Sequence, residues 1–367
     1  IGVIASVTVV ALAAAVAMYV IAVDDPFGGE PTATAKIEDV NGSVGRGEVT
    51  VVGVKSGSGE ILPPIVRDPL AAGAGDEEIV AVRPPGGGIT VTLPNGSVQS
   101  LSLPTVPMEA LEEEGPHGRL PRIAENGLRP VDAYARPVPG FVGASPKIVV
   151  IVGGLGLSQT GTQEALRQLP PEVTLAFAPY GSSLDRWTAR ARQDGHEILL
   201  QVPLEPFDYP DNDPGPHTLI SGASPEKNID SLHWLMTRIG AYVGVMTYMG
   251  ARFTADPAAL EPVMEEIAGR GLMFVDDGAS LRSRTAETAV ARSAPYARAD
   301  IVIDSVATAD EIAGRLAQLE QIARTRGLAV GVASALPVSV RSIGEWAATL
   351  ERRGITLVPV SASMAPG

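Results

Sequence analysis

The 367-residue sequence has no cysteine, which excludes zinc–thiolate sites, thiol nucleophiles and disulfide staples. Aromatic residues make up only 4% of it, so a core drawn from the 45% apolar fraction must be built mainly of Val, Leu, Ile and Ala. Basic residues are also short, 28 Lys and Arg against 42 Asp and Glu, a net charge of −14. Nucleic-acid binders need a basic surface, so nucleic acid is excluded as a partner class. The same balance disfavours a polybasic dock on anionic lipid. Histidine is restricted to four positions, His117, His196, His217 and His233.

Charge is absent altogether from residues 1–23, from Ile1 to Val23, a run long enough to cross a bilayer as one helix. A signal peptide is the alternative, but its apolar region covers about 7–15 residues, and here the run continues past the cleavage-like Ala15-Val16-Ala17. We therefore expect an uncleaved membrane anchor. The sequence opens on Ile rather than Met, so a short native N-terminus is expected to precede it. Asp24 and Asp25 follow the span and Lys36 is the first basic residue, which favours a non-cytoplasmic C-terminal side.

Proline and glycine then punctuate residues 24–119, as in PFGGEP, LPPIVRDP and RPPGGG. This composition predicts an extended, semi-rigid tether. Residues 48–55 (EVTVVGVK) read as a strand. Residues 89–103 alternate around Asn95-Gly96, the signature of a hairpin. The acidic run 109–114 (EALEEE) reads as a solvated helix face, and 120–145 as an extended strap onto the next domain. No internal repeat is present.

From residue 146 to 367 the texture is that of a different domain. It opens on KIVVIVGGLG, five consecutive β-branched residues that stop at a glycine-rich turn, the pattern of a strand buried on both faces. Strands are predicted at 147–152, 173–177, 197–202, 242–246, 272–276, 300–304, 328–333 and 355–360, with helical patterns between them. Ser224-Pro225-Glu226 and Asp256-Pro257 are helix starts. Seven or eight βαβ units imply a parallel sheet that is closed or nearly closed into a barrel, with any site at the C-terminal strand ends. The long connection 203–224 is the main irregularity, of a length usually functional or disordered.

The segments KIVVIVGGLG, VTLAFAPY, GHEILLQVPLEP, GPHTL, YMGARFT, GLMFVDD and IDS, in this order, resemble the divergent polysaccharide deacetylase family over about residues 146–360. The resemblance implies an α/β fold with a NodB-like, distorted (β/α) barrel of seven or eight parallel strands. It also implies a Gram-negative envelope protein: single-pass in the inner membrane, with its main domain in the periplasm. Family members with an intact site place an Asp and two His on a divalent metal such as zinc, which activates water. This chain departs from that pattern three times. Gly153 and Gly154 stand where an Asp-Asp pair is expected, Thr247 and Tyr248 where Asn-His is expected, and Ala333, Ser334 and Ala335 where Gly-His-Pro is expected. The expected cofactor is therefore none, with a divalent metal as the alternative.

Carboxylates remain at the strand ends: Glu205, Asp276, Asp277 and Asp304. Glu205, Asp276 and Asp277 are candidate acid/base residues, because glycan hydrolysis needs two carboxylates across the scissile bond. The competing reading makes them helix caps or partners of Arg252, Arg282 or Arg298. His217, Tyr248, Arg252 and Asp304 are the candidate substrate-binding residues, and no metal ligand is assigned. Two functions follow. One is a catalytically inactive module binding envelope glycan or a membrane-protein complex. The other is an active carbohydrate esterase, deacetylase or glycan hydrolase with a rearranged site.

Overall fold

The computed structural model describes residues 103–138 and 145–364, together with the backbone of short strands at 81–82, 89–92 and 98–101. The chain divides into units Ile1–Ala74 and Gly75–Gly367, and every described residue lies in the second. The expected anchor at 1–23 and strand at 48–55 fall outside the described residues. Among the described residues no helix is long and apolar enough to cross a membrane.

Strands β1 (Ala81–Val82), β2 (Ile89–Thr92) and β3 (Val98–Leu101) form an antiparallel sheet. Thr92 opposes Val98 and Ile89 opposes Leu101, which is the hairpin expected around Asn95-Gly96. The acidic run departs from expectation. A single 3-10 turn, Glu109–Leu111, leads into β4 (Glu112–Gly115), which pairs antiparallel with β5 (Gly118–Pro121). Leu111 is buried and anchors the turn, while Arg119 bridges Glu112 and Glu114. Cross-strand charge pairing of this kind favours a ribbon over a helix whose glutamates would crowd one face. Between β5 and residue 147 the described residues form a one-turn helix, α1 (Pro130–Ala133).

The remaining elements alternate as β6 (Lys147–Leu155), α2 (Gln159–Gln168), β7 (Thr174–Phe177), α3 (Leu184–Gln193), β8 (Ile198–Leu204), α4 (Pro225–Met236), β9 (Gly244–Met249), α5 (Pro257–Gly269), β10 (Met273–Asp276), α6 (Thr285–Ala291), β11 (Tyr296–Arg298), β12 (Ile301–Val302), α7 (Ala309–Arg326), β13 (Leu328–Ser334), α8 (Pro337–Leu350) and β14 (Thr356–Leu357). The sheet order is β11-β10-β9-β8-β7-β6-β13-β12, with β14 also on β6, and every ladder is parallel. No ladder joins β11 to β12, so the sheet is a curled half-barrel whose hydrogen bonding does not close. Its two edges are nevertheless one continuous piece of chain. Ala299 and Asp300 carry it across, Ala299 donating to the carbonyl of Asp276 on one edge and Asp300 to that of Val330 on the other. Three steps of extended chain reach at most about 11 Å, so the curl brings the edges at least that close. The sequence reading places one strand at 300–304 and misses β11, because YARADIVID spends its β-favouring residues on two partners in turn.

Period-two alternation along the strands builds two cores. Ile148, Val150 and Val152 face the helices with Ala165, Leu319 and Ile343. Val149 and Ile151 face inside the curl with Leu199, Met246, Val275 and Val332. Leu111, Ala124, Val131 and Tyr134 from the upstream segment join this inner core. Buried Glu197 ties the layers. It accepts from the Arg136 N–H at 2.7 Å, the Ser361 N–H at 3.1 Å and the Ser361 hydroxyl. Burial pushes this carboxyl up, against those hydrogen bonds.

Candidate functional site

A cleft of about 580 Å³ opens where the strands end, lined by residues that follow or close β6, β7, β8, β9, β10, β12 and β13. Its floor is set by the two glycines of the first strand. Gly153 continues the inward-facing series of Val149 and Ile151, and Gly154 has φ +79°, a conformation that suits glycine. The β6–β7 register breaks here, between Val152 and Leu155. A Cβ on Gly153 would lie 2.8 Å from Nε2 of Gln201. Gln201 is the one polar residue in the otherwise apolar strand ILLQVPL. It reaches past β7, and its Oε1 accepts from the Gly154 N–H at 2.7 Å. An amide from a third strand thus occupies the space that a side chain at Gly153 would fill.

The adjacent acids at the end of β10 point opposite ways, as alternation demands. Asp276 faces the helices, in series with Phe274. It is buried and fully engaged: Oδ1 accepts from the Gly278 N–H at 2.8 Å, and Oδ2 accepts from the Ser283 hydroxyl at 2.6 Å and from the Thr285 hydroxyl. Arg298 lies at 3.9 Å. Asp277 instead lines the cleft. Its Oδ1 accepts from the Ala279 N–H at 2.9 Å, and its own N–H donates to the Thr247 hydroxyl at 2.9 Å. Burial, reinforced by the charge of Asp276, pushes the Asp277 carboxyl up to about 6, while hydrogen bonds from Ala279 and Thr247 and the charge of Arg298 pull the other way.

Glu205 does not line the cleft. Its Oε2 accepts from the Ser221 N–H at 2.7 Å, and Arg252 approaches Oε1 at 3.3 Å. Its carbonyl also accepts from the N–H groups of Arg252 and Phe253. Together these contacts fasten the long connection after β8 to the turn after β9. Arg252 is absorbed in that tie. Asp304 does line the cleft, with Oδ2 accepting from the Ser334 N–H at 2.8 Å and the Ser339 hydroxyl at 2.7 Å. Tyr248 is 40% exposed on the rim. His217 lies away from the cleft: its ring stacks on Trp234 of α4 with centroids 4.0 Å apart.

The structure therefore brings together Asp277, Asp304 and Tyr248, and keeps Glu205, Asp276, Arg252 and His217 out of the cleft. Sequence reasoning missed Gln201, although a lone polar residue at an inward position of a buried strand is a readable signal. It also missed Tyr180, whose hydroxyl donates to the carbonyl of Pro216 and whose phenol burial pushes up to about 12. Leu157 and Leu336, both exposed, complete an apolar rim. Among the described residues no group of three His, Asp or Glu side chains converges as a metal site would require.

A parallel α/β half-barrel with its cleft at the strand C-termini defines a class in which ligands meet the strand-to-helix loops. The sequence pattern of the divergent polysaccharide deacetylase family matches residues 150–364, and the chain belongs to that family. An uncharacterized protein of Agrobacterium tumefaciens C58, known from its crystal structure, is 51% identical. It aligns with a TM-score of 0.65 over 66% of this chain and 98% of its own. The uncharacterized protein YibQ of Escherichia coli K12 is 19% identical over 215 residues, 59% of this chain and 66% of YibQ. An uncharacterized protein of Haemophilus influenzae is 23% identical over 157 residues, 42% of this chain and 55% of its own. The match thus spans less than two thirds of either curated relative. The catalytic domain of peptidoglycan N-acetylglucosamine deacetylase from Eubacterium rectale aligns at a TM-score of 0.39 with 12% identity, over 64% of this chain and 96% of its own.

Proposed function

We propose that the domain binds envelope glycan in the cleft at its strand ends and does not hydrolyse it. In this reading residues 1–23 anchor it in the inner membrane and the half-barrel stands in the periplasm. The observation that carries the proposal is the seating of Gln201. Its amide fills the volume beside Gly153 where the family resemblance expects a metal-holding carboxylate. What remains is an apolar and aromatic rim around a few polar groups, the composition of a ligand site. Binding of N-acetylglucosamine oligomers by the full chain, followed by calorimetry, tests it. The expected result is saturable binding with no acetate released and no chain cleaved. Release of acetate at a rate proportional to protein would overturn the non-catalytic reading.

A second reading is favoured by one observation, the raised carboxyl of Asp277 in the cleft. A carboxyl poised near neutral pH is suited to general acid or base work. If the domain is a hydrolase with a rearranged site, Asp277→Asn lowers its rate by about a hundredfold or more.

A further inference from the structure

Resting on the glycan-binding reading, we propose that the cleft selects sugars bearing a primary ammonium, that is, glycan whose amino sugars have lost their acyl groups, and that Asp277 and Asp304 receive this ammonium. Both acids line the cleft, and among the described residues no Lys, Arg or His does. Among the described residues neither acid has an ion-pair partner. Cations of the adjoining strand ends and loops have contacts elsewhere: Arg252 with Glu205, Arg298 with the Ser280 carbonyl at 2.9 Å and with Asp276, and Arg282 over the Phe207 ring. Two carboxylates held in a partly desolvated cleft without a contact ion pair, Asp277 feeling only the longer-range charge of Arg298, favour a cationic guest over a neutral acetamide, which would leave both without one. They equally disfavour phosphate- or carboxylate-bearing glycans.

A second feature points to the same ligand. Gln201 is 6% exposed and spends its Oε1 on Gly154. Its Nε2 has no hydrogen-bond partner among the described residues and is left to donate into the cleft to a sugar oxygen. Tyr180, Tyr248, Leu157 and Leu336 supply flat apolar surface for the faces of a pyranose ring. A site that combines acceptors for one ammonium, a donor for a hydroxyl and apolar walls matches an amino sugar better than a lysine side chain, which offers no ring and no hydroxyl.

The test compares fluorescently labelled glucosamine tetramer with N-acetylglucosamine tetramer on the full chain at pH 7. The glucosamine oligomer is expected to bind at least about tenfold tighter, the worth of one good charge-assisted contact. That preference is expected to vanish in the Asp277→Asn, Asp304→Asn double variant. It is expected to persist when two exposed acids of the loop after β8 are replaced instead, Asp208→Asn with Asp211→Asn. Equal binding of the two oligomers, or preference for the acetylated one, overturns the ammonium proposal and leaves the glycan-binding reading intact. Failure of both to bind sinks both. Oligolysine of equal charge binding as tightly as glucosamine tetramer, or equal loss in the surface variant, reduces the effect to bulk attraction by a −14 protein and overturns the proposal. Should the double variant not fold, competition by free glucosamine against free N-acetylglucosamine on the unmodified chain decides the same question.

Discussion

At the scale of the residue, Asp277 carries the clearest consequence. Its carboxyl is held up near 6 from the ordinary 3.8, chiefly by burial, so the folded state favours its neutral form. The stabilisation that comes with the neutral form is full below about pH 4. It falls as pH rises through the interval from about 4 to 6, and is gone above it. Asp277→Asn removes this dependence and keeps an oxygen for the Ala279 N–H. The variant is therefore expected to match the parent below pH 4 and to exceed it at pH 7 by on the order of 1 kcal/mol after solvent screening. Thermal melts across that interval check this; a constant offset at every pH would assign the effect elsewhere.

Gly153 is the second case. Its Cβ would stand 2.8 Å from Gln201 Nε2, and the amide cannot swing away without losing the Gly154 N–H. Gly153→Ala should cost about 1–2 kcal/mol by overpacking. Gln201→Ala in the same chain should return part of that loss, giving a coupling of at least about 0.5 kcal/mol in a double-mutant cycle. Additive single effects would mean that the two positions do not share the space.

At the scale of the element, Glu197 holds three pieces together: β8, which it precedes, the upstream segment through Arg136, and the C-terminal turn through Ser361. Glu197→Ala leaves buried donors without acceptors, at about 2–3 kcal/mol. It should also expose the segment 103–138 to protease before the barrel itself is cut. Simultaneous cleavage everywhere would show that the segment has no separate opening. The edge crossing makes a parallel case. Asp300 accepts from the Val330 N–H at 2.9 Å and from Arg326 at 3.1 Å, so its side chain helps hold β12 on the sheet. Asp300→Ala should cost about 1–2 kcal/mol. Its signature is faster amide exchange in β12 and β13 with little change in β8.

At the scale of the whole molecule, most of the half-barrel was legible in sequence, and most of the site was not. The run KIVVIVGG announces β6 because β-branched residues with no alternation suit a strand covered on both sides. The glycine and proline punctuation located the helices because those residues act locally on the chain. Such signals need only neighbours within a few residues. The strand predicted at 300–304 leaves out β11, because the division into β11 and β12 depends on which distant strand each one pairs with. The acidic run 109–114 reads as a helix face in sequence but forms a ribbon, because Arg119, across the hairpin, decides its form. Glu205 and Asp276 looked equal to Asp277 and Asp304 as strand-end acids.

The sequence by itself determined the composition of the cores, the parallel βαβ order, the family, and the departures from the expected residues at 153–154, 247–248 and 333–335. Each of these rests on residue identity or on short-range periodicity. Only the tertiary structure decided which carboxylates face the cleft and that Gln201 fills the space beside Gly153. It alone also placed His217 on Trp234, away from the mouth. Those facts depend on the direction of side chains brought together from strands dozens of residues apart, and a one-residue change of register would reverse them.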